Sequence, residues 1–290
     1  MTGVLKQLPA DMSISVHGPV PPRRFWGYYT GPEIAELARD PNATVVLNIG
    51  AVEQHGPHLP TITDTLNGMH VLGTALSRLP DNVVVLALPP TNLGKSEEHR
   101  DFAGTLSLRG ETLRMLLLDI ATSVARSGFR KLVLFGSHGG NVGAIDDFFR
   151  DLHIETGMRV FKVFAGSIAS VPGVISPEES AIAMHAGDSE TSMVRYLAPE
   201  LVHMERAEGY VYEAHPLIGY SFKGQDVIEA WVTSELAPTG AIGNPHVSSP
   251  EKGKALFEAS ASRLAELLEA IYHVPPREVR PAPTATVASV

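Results

Sequence analysis

Short apolar runs alternate with helical patterns along most of this 290-residue chain. Four runs rich in β-branched and aliphatic residues predict strands, and their continuous apolar character is typical of a sheet buried on both faces. These strands are predicted at residues 44–49, 83–88, 131–135 and 159–164, and the helices between them at 65–79, 111–127 and 142–155. Strands that alternate with helices favour a mostly parallel sheet, so we expect a three-layer α/β/α sandwich.

The composition excludes several other classes of protein. Hydrophobic residues make up 44% of the chain and charged residues 19%, which argues against a disordered or fibrous chain. Cysteine is absent, so disulfides, thiolate nucleophiles and cysteine-based metal sites are excluded. A net charge of −9 disfavours a nucleic-acid partner. No apolar run reaches the roughly 18 residues of a membrane span, and no signal peptide is recognisable, so we expect a cytoplasmic protein without a membrane partner.

The two ends of the chain differ in composition from its middle. Residues 1–23 are polar and contain a Pro-rich run, and we expect an extended arm there. Residues 275–290 are rich in Pro, Ala and Thr and predict a flexible tail. Since neither an internal repeat nor a long linker interrupts the rest, we expect one domain over residues 1–274.

The loop after the first predicted strand contains candidate metal ligands. Ligands of open parallel sheets bind beyond the carboxyl ends of the strands. Glu53 and His55 are two residues apart and would face the same way in an extended segment, and Asp64 follows at the start of the next helix. Carboxylates and imidazole are ligands for a divalent ion. The alternatives are a solvated polar loop for Glu53 and His55 and a helix N-cap for Asp64.

Histidines recur after later predicted strands. His138 follows the third strand between glycines, which let the backbone approach a ligand closely, although a tight strand-to-helix turn is the alternative. His185 follows the fourth strand and precedes Glu190 by five residues. The alternative there is an ordinary helix start, with Asp188 or Ser189 as the N-cap and Glu190 complementing the helix dipole.

Two further stretches could line a substrate pocket. The loop after the second strand contains Ser96 and His99, and a structural role for His99 is the alternative. Residues 205–247 could supply aromatic walls and a charge, or could pack the core and subunit contacts. The residues concerned there are Tyr210, Tyr212, His215, Tyr220, Phe222, Lys223 and Trp231.

Taken together, these motifs resemble those of the creatininase (creatinine amidohydrolase) family. The runs are GAVEQHGPHLPTITD, SEEH with FAGTLSL, SHGGN, HAGDSETS and PTGAIGNP, the last followed by EKG. They occur in the family's order over residues 44–255, which is most of the chain. The resemblance implies a single α/β/α domain, assembly into a homo-oligomer (a hexamer), and a two-metal site that hydrolyses amide-type C–N bonds.

The resemblance also implies roles for individual residues. Asp64 would bridge two divalent ions, and His185 would be a proton-shuttling histidine that Asp188 could orient. Glu53, His55 and His138 complete the metal ligands carried over from the family. Candidate substrate-binding residues are Ser96, His99, Gly139 and Gly140.

Two positions depart from the family pattern. Creatinine-hydrolysing members have a metal-ligating glutamate at the position of Gly140, and Glu190 is our candidate to replace it, as a ligand within the catalytic site. Those members also have a tryptophan, which packs on creatinine, at the position of Ala181. The second departure argues against creatinine itself as the substrate.

These observations predict a metal-dependent amidohydrolase with two Zn, Mn or Fe ions per chain. We expect it to hydrolyse a C–N amide bond, in a cyclic amide or a similar small molecule, with a hydroxide held between the ions. Positive charge beside the oxyanion would lower the barrier, and an imidazole with a pKa of about 6.5 can accept and donate protons. The alternatives are a metal-dependent peptidase, a C–C or lactone ring-opening hydrolase, and a catalytically silent binding protein.

Overall fold

The computed structural model of the chain describes Leu5 and residues 17–210, 220–221 and 227–275. Most of the predicted arm, and all but the first residue of the predicted tail, lie outside this part. The strands are β1 (Thr44–Ile49), β2 (Val85–Ala87), β3 (Lys131–Gly136), β4 (Arg159–Phe164), β5 (Tyr220–Ser221) and β6 (Val227–Ile228). The helices are α1 (Gly31–Leu37), α2 (Thr63–Ser77), α3 (Gly110–Arg126), α4 (Asn141–Thr156), α5 (Ala165–Ile168), α6 (Pro177–Ile182), α7 (Asp188–Leu197), α8 (Thr233–Leu236) and α9 (Pro250–His273).

The central sheet has four parallel strands in the order β2-β1-β3-β4. Right-handed crossovers put α2 on one face of the sheet and α3 and α4 on the other. Helices α7 and α9 pack against α2 and against each other, and α3 packs against α4. The predicted α/β/α sandwich is confirmed. No helix in the described part of the chain is long and apolar enough to cross a membrane.

The strands differ in how deeply they are buried. All six residues of β1 and of β3 are buried, as continuous apolar runs predict. Strand β4 is only partly covered, so the prediction that it is buried on both faces is wrong. Edge position alone does not explain this difference, because β2 is the other edge strand and all three of its residues are buried. Phe25 forms a bridge with Ala87 and covers β2, whereas β4 pairs only with β3 in the described part of the chain.

The order of the strands creates a crevice beyond their carboxyl ends. After β1 the chain crosses to β2 on one side, whereas after β3 it crosses to β4 on the other. Helices that leave neighbouring strands toward opposite faces open a cleft beyond the carboxyl ends of those strands. Ile49 and Gly136 pair at the ends of β1 and β3, so Glu53 and His138 both emerge into this cleft.

Candidate metal centre

Six of the predicted site residues come together in this cleft. Two triads of ligand atoms, each with all atoms within 4.8 Å of one another, are Glu53 with Asp64 and His138, and His55 with Asp64 and Glu190. A third such group joins Glu53 and His55 to His185. Asp64 belongs to both of the first two triads, so it lies where one carboxylate could contact two ions.

Three of the histidines direct into the cluster the ring nitrogen that can bind a metal once it is deprotonated. A backbone carbonyl can only accept a hydrogen bond, so the ring nitrogen that faces it keeps its proton and the other nitrogen is the candidate ligand. The contacts are His55 Nδ1 to the carbonyl of Glu53 at 3.1 Å, His138 Nε2 to that of Lys95 at 2.9 Å, and His185 Nε2 to that of Gln54 at 2.6 Å. Metal-ligating imidazoles are held in this way.

Several ligand atoms of the cluster are buried without a hydrogen-bond partner. Among the described residues they include Glu53 Oε2, His55 Nε2 and Asp64 Oδ2. His138 Nδ1 lies 3.0 Å from Asp64 Oδ2, and His55 Nε2 lies 3.4 Å from Asp64 Oδ1. Leaving such a group unpaired costs about 1–3 kcal/mol, and carboxylate and imidazole donors suit Zn, Mn or Fe. The residues present therefore fit divalent cations.

The pKa values in the cluster reflect burial and mutual attraction. Burial, followed by the charge of Asp64, raises the pKa of Glu53 to about 7. Burial lowers the pKa of His55, but the neighbouring carboxylates, Asp64 first and then Glu190 and Glu53, together outweigh it and raise that pKa to about 9. Burial lowers the pKa of His138, but the adjacent carboxylates of Asp64 and Glu53 outweigh it and raise that pKa well above its usual value. Metal binding would therefore displace protons from these groups.

The HAGDSETS run folds into a strained turn followed by α7. Ala186 is buried with φ 52°, a left-handed conformation that is uncommon for residues other than glycine. Its N–H donates to Glu190 Oε2 at 2.6 Å, so the turn fixes the Glu190 carboxylate. The carbonyl of His185 accepts the N–H of Ile242 at 2.8 Å, which ties the PTGAIGNP run to the site.

Asp188 does not orient His185. Its carboxylate accepts hydrogen bonds from Ser192 Oγ at 2.9 Å and Lys252 Nζ at 2.5 Å. The carbonyl of Gln54 orients the His185 ring instead. Asp188 therefore anchors the start of α7 to α9, because Lys252 lies in the first turn of α9.

His99 differs from the other three histidines in its tautomer, because it carries its proton on the ring nitrogen that faces the cluster. Gln54 accepts the N–H of Gly56 at 2.8 Å and donates to the carbonyl of Gly240 at 3.0 Å, which defines the orientation of its amide. The same Nε2 donates to His99 Nδ1 at 2.8 Å. The proton of His99 is then on Nε2, 3.3 Å from Glu53 Oε1, so His99 orients a candidate ligand. Sequence reasoning missed Gln54, although it lies within a recognised motif.

The cluster opens into a pocket of about 260 Å³, whose walls include Gly139, Gly140 and Glu98. A Cβ at Gly139 would meet open space, whereas one at Gly140 would lie 2.0 Å from Glu98 Oε1. The Glu98 carboxylate thus takes the room that a side chain at position 140 would need, and no sequence signal singled it out. Ser96 is fully buried and does not line this pocket, and its Oγ lies 3.3 Å from His138 Nε2. A contact between Ser96 and the substrate therefore stays a prediction.

The predicted aromatic stretch is only partly described. Trp231 lines the pocket, together with Met184, which sequence reasoning did not single out. Tyr212, His215, Phe222 and Lys223 lie outside the described residues, and only the backbone of Tyr220 is described.

A parallel α/β/α sandwich with a buried centre of carboxylates and imidazoles at the carboxyl ends of its strands is the arrangement of a metal-dependent enzyme. The family model for creatininase, described as creatinine amidohydrolase, matches residues 27–268. The chain belongs to the creatininase family, whose members are metal-dependent amidohydrolases that act on C–N bonds.

Relatives of known function share about a third of the sequence or less. The chain is 31% identical over 254 residues to the mycofactocin precursor peptide peptidase of Mycobacterium tuberculosis, covering 86% of this chain and 92% of that protein. It is 30% identical over 262 residues to the creatinine amidohydrolase of Pseudomonas putida, covering 84% and 95%. It is 25% identical over 266 residues to the 3-dehydro-scyllo-inosose hydrolase of Thermotoga maritima, covering 78% and 77%.

Solved structures agree with this fold. The structure described as "Creatininase Mn" superposes with a TM-score of 0.71 at 25% identity, covering 87% of this chain and 99% of that chain. A mutant creatininase of "Zn-Zn type" superposes with a TM-score of 0.68 at 26% identity, covering 90% and 100%.

Proposed function

We propose that this protein is a binuclear amidohydrolase in which Asp64 bridges two divalent ions. The observation that carries the proposal is the membership of Asp64 in two ligand triads that contain buried atoms without hydrogen-bond partners. Glu53 and His138 would complete one site, and His55 and Glu190 the other. Glu190 then replaces the ligand that Gly140 cannot supply.

The ions would polarise the scissile carbonyl and lower the pKa of water enough to supply hydroxide at neutral pH. His185 would carry the proton from water to the leaving nitrogen. Its Nε2 is committed to the carbonyl of Gln54, so Nδ1 is the atom that accepts and returns the proton. Burial, followed by the charge of His55, lowers the pKa of His185 well below its usual value, so the ring starts neutral. His99 would hold Glu53 in place.

The substrate is an amide, and two candidate classes remain. A small cyclic amide agrees with the creatinine amidohydrolase relative, and a peptide agrees with the mycofactocin precursor peptide peptidase relative. Gly139, Gly140 and Glu98 would border the bound substrate, since they line the pocket. Hexameric assembly and a cytoplasmic location remain predictions.

Metal content tests the proposal directly. Chelator-stripped protein is reconstituted with Mn, Zn or Fe, and bound metal is counted by elemental mass spectrometry. We expect about two ions per chain in the wild type and about one in Glu190→Gln. Two ions retained in Glu190→Gln would show that another group completes the second site. A folded protein that binds no metal would favour the catalytically silent binding protein.

His185 is tested separately from the ligands. We expect His185→Ala to keep both ions and lose turnover, because proton transfer by a positioned side chain contributes about 10²–10⁴-fold. Equal loss of metal would instead assign His185 to the third ligand group, with Glu53 and His55. Turnover is measured with a panel of lactams, formamides and short peptides, which also separates the two substrate classes.

A further inference from the structure

A second cavity opens onto the candidate metal centre. It has a volume of about 430 Å³, and we call it the apolar chamber; the 260 Å³ cavity is the polar pocket. The two cavities share four wall residues, namely Asp64, Gly139, Met184 and Glu190. Since Asp64 and Glu190 are candidate ligands, a carbonyl bound at the ions would lie where the two cavities meet.

The apolar chamber runs along one face of α2. Asp64, Asn67 and Val71 are spaced three and four residues apart, so they form a row on this face. Asp64 lies at the candidate metal centre, and Val71 is two turns further along the helix. The polarity of the wall therefore falls with distance from the ions. Other apolar wall residues are Phe164, Ala165, Ala169, Met193 and Leu256.

The two cavities differ in the groups that they offer a ligand. The polar pocket contains carboxylates and imidazoles, including Glu53, Glu98 and His99. Away from Asp64 and Glu190, the apolar chamber offers mainly hydrocarbon, interrupted by the side chains of Asn67, Ser137, Ser189 and Ser260. No Lys or Arg lines either cavity in the described part of the chain. An anionic arm would therefore find no counter-charge, whereas an uncharged arm would fit the chamber.

We propose that the apolar chamber binds an uncharged hydrophobic arm of the substrate, directly beside the scissile amide. Such an arm belongs to a linear amide, which can extend from the ions along the chamber. A compact ring bound at the ions would leave the chamber without a ligand. The proposal rests on the proposed function, because the ions define where the scissile carbonyl lies.

Alkyl hydroxamates test the chamber without requiring turnover. Their head group chelates divalent ions, and the length of their tail can be varied. Binding of acetohydroxamate, butyrohydroxamate and hexanohydroxamate to the metal-reconstituted protein is measured by isothermal titration calorimetry. If the tail enters the chamber, affinity rises about fourfold with each added methylene group, which corresponds to its burial from water.

A substitution in the chamber sharpens this test. Ala169 lines the chamber and is absent from the main core cluster, so Ala169→Phe fills the chamber with little effect on the fold. We expect it to reduce the ratio of hexanohydroxamate to acetohydroxamate affinity at least tenfold. The matched control is Ala35→Phe at an exposed position on α1, which should leave this ratio unchanged. Metal content and thermal midpoint are checked for both variants.

The possible failures are distinguishable. Affinity that does not depend on tail length, or a length dependence that survives Ala169→Phe, would overturn the chamber and leave the metal centre intact. Absence of any metal-dependent binding of acetohydroxamate would count against the proposed function, and the chamber proposal would fail with it.

Discussion

The amino ends and the carboxyl ends of the central strands, here called the amino edge and the carboxyl edge, both bury ionisable side chains, but these differ in kind: cations that donate to backbone carbonyls at the amino edge, and a cluster of carboxylates and imidazoles at the carboxyl edge. At the amino edge, Lys131 begins β3 and is 1% exposed, and its Nζ donates to the carbonyls of Ile271 and Tyr272 at 3.1 and 2.6 Å. Arg24 is fully buried there, and its terminal nitrogens donate to four backbone carbonyls. At the carboxyl edge, Glu53 Oε2 and Asp64 Oδ2 are buried without a hydrogen-bond partner.

This difference separates stability from function. The cations of the amino edge donate to backbone carbonyls, including those at the end of α9, so their charge is held by groups of the chain itself. The carboxyl edge gathers carboxylates and imidazole lone pairs that attract a cation from outside the chain. We therefore expect substitutions at the amino edge to change folding and those at the carboxyl edge to change metal binding.

The largest expected effect is at Asp64. Asp64→Asn should remove both ions and reduce turnover more than about 100-fold, because both triads lose their shared carboxylate. Loss of a residue that only orients a metal ligand already costs about 10–100-fold in metal affinity or activity. Elemental analysis and an amide hydrolysis assay measure these losses. The metal-free protein should also lose stability, because the Asp64 carboxylate pairs there with the protonated rings of His55 and His138. Two ions retained per chain would contradict the bridging assignment.

At the amino edge, Lys131→Met should destabilise the protein by about 2–4 kcal/mol. The carbonyls of Ile271 and Tyr272 would lose their donor at the end of α9, and each unpaired buried group costs about 1–3 kcal/mol. Urea unfolding measures the change, and metal content should be unchanged. The exposed Lys254→Met on the same helix is the matched control, expected within about 0.5 kcal/mol of the wild type. A loss of metal in Lys131→Met would break the proposed separation of the edges.

A smaller effect is expected at His99, which acts through Glu53. His99→Leu should weaken metal binding about 10–100-fold, the usual range for a residue that orients a ligand. His99→Gln retains an N–H that can reach Glu53 and should recover most of the affinity. Calorimetric titration with Mn or Zn gives both values. If the two variants bind metal equally weakly, His99 fills space and does not orient the carboxylate.

The mildest test is the pH dependence of metal binding. In the metal-free protein the pKa of His55 is raised to about 9, so its ring is protonated at pH 7 and the metal must displace this proton. Affinity should therefore rise about tenfold per pH unit for each displaced proton, and level off above the raised pKa. Titrations in buffers with different ionisation enthalpies count the protons. Affinity independent of pH between 7 and 8 would contradict this coupling.

Most of the fold was predictable from local pattern. The periodicity of apolar residues predicted four strands and the helices between them, and β1 and β4 match the predicted bounds. The exposure of β4 was not predictable, because the rest of the chain decides which strand lies at an edge of the sheet and whether that strand is covered. Glu53, His55, Asp64, His138, His185 and Glu190 were identified from residue type and position after strands, and they do come together.

What the sequence by itself determined is the class of the fold and the kinds of ligand, because hydrophobic period and residue chemistry are local properties. Tertiary structure alone decided which ring nitrogen faces the cluster, that Glu98 takes the room beside Gly140, and that a chamber runs along α2. These features depend on atoms brought together from distant segments, within about an ångström. No local pattern encodes such distances, since packing around the cleft sets them.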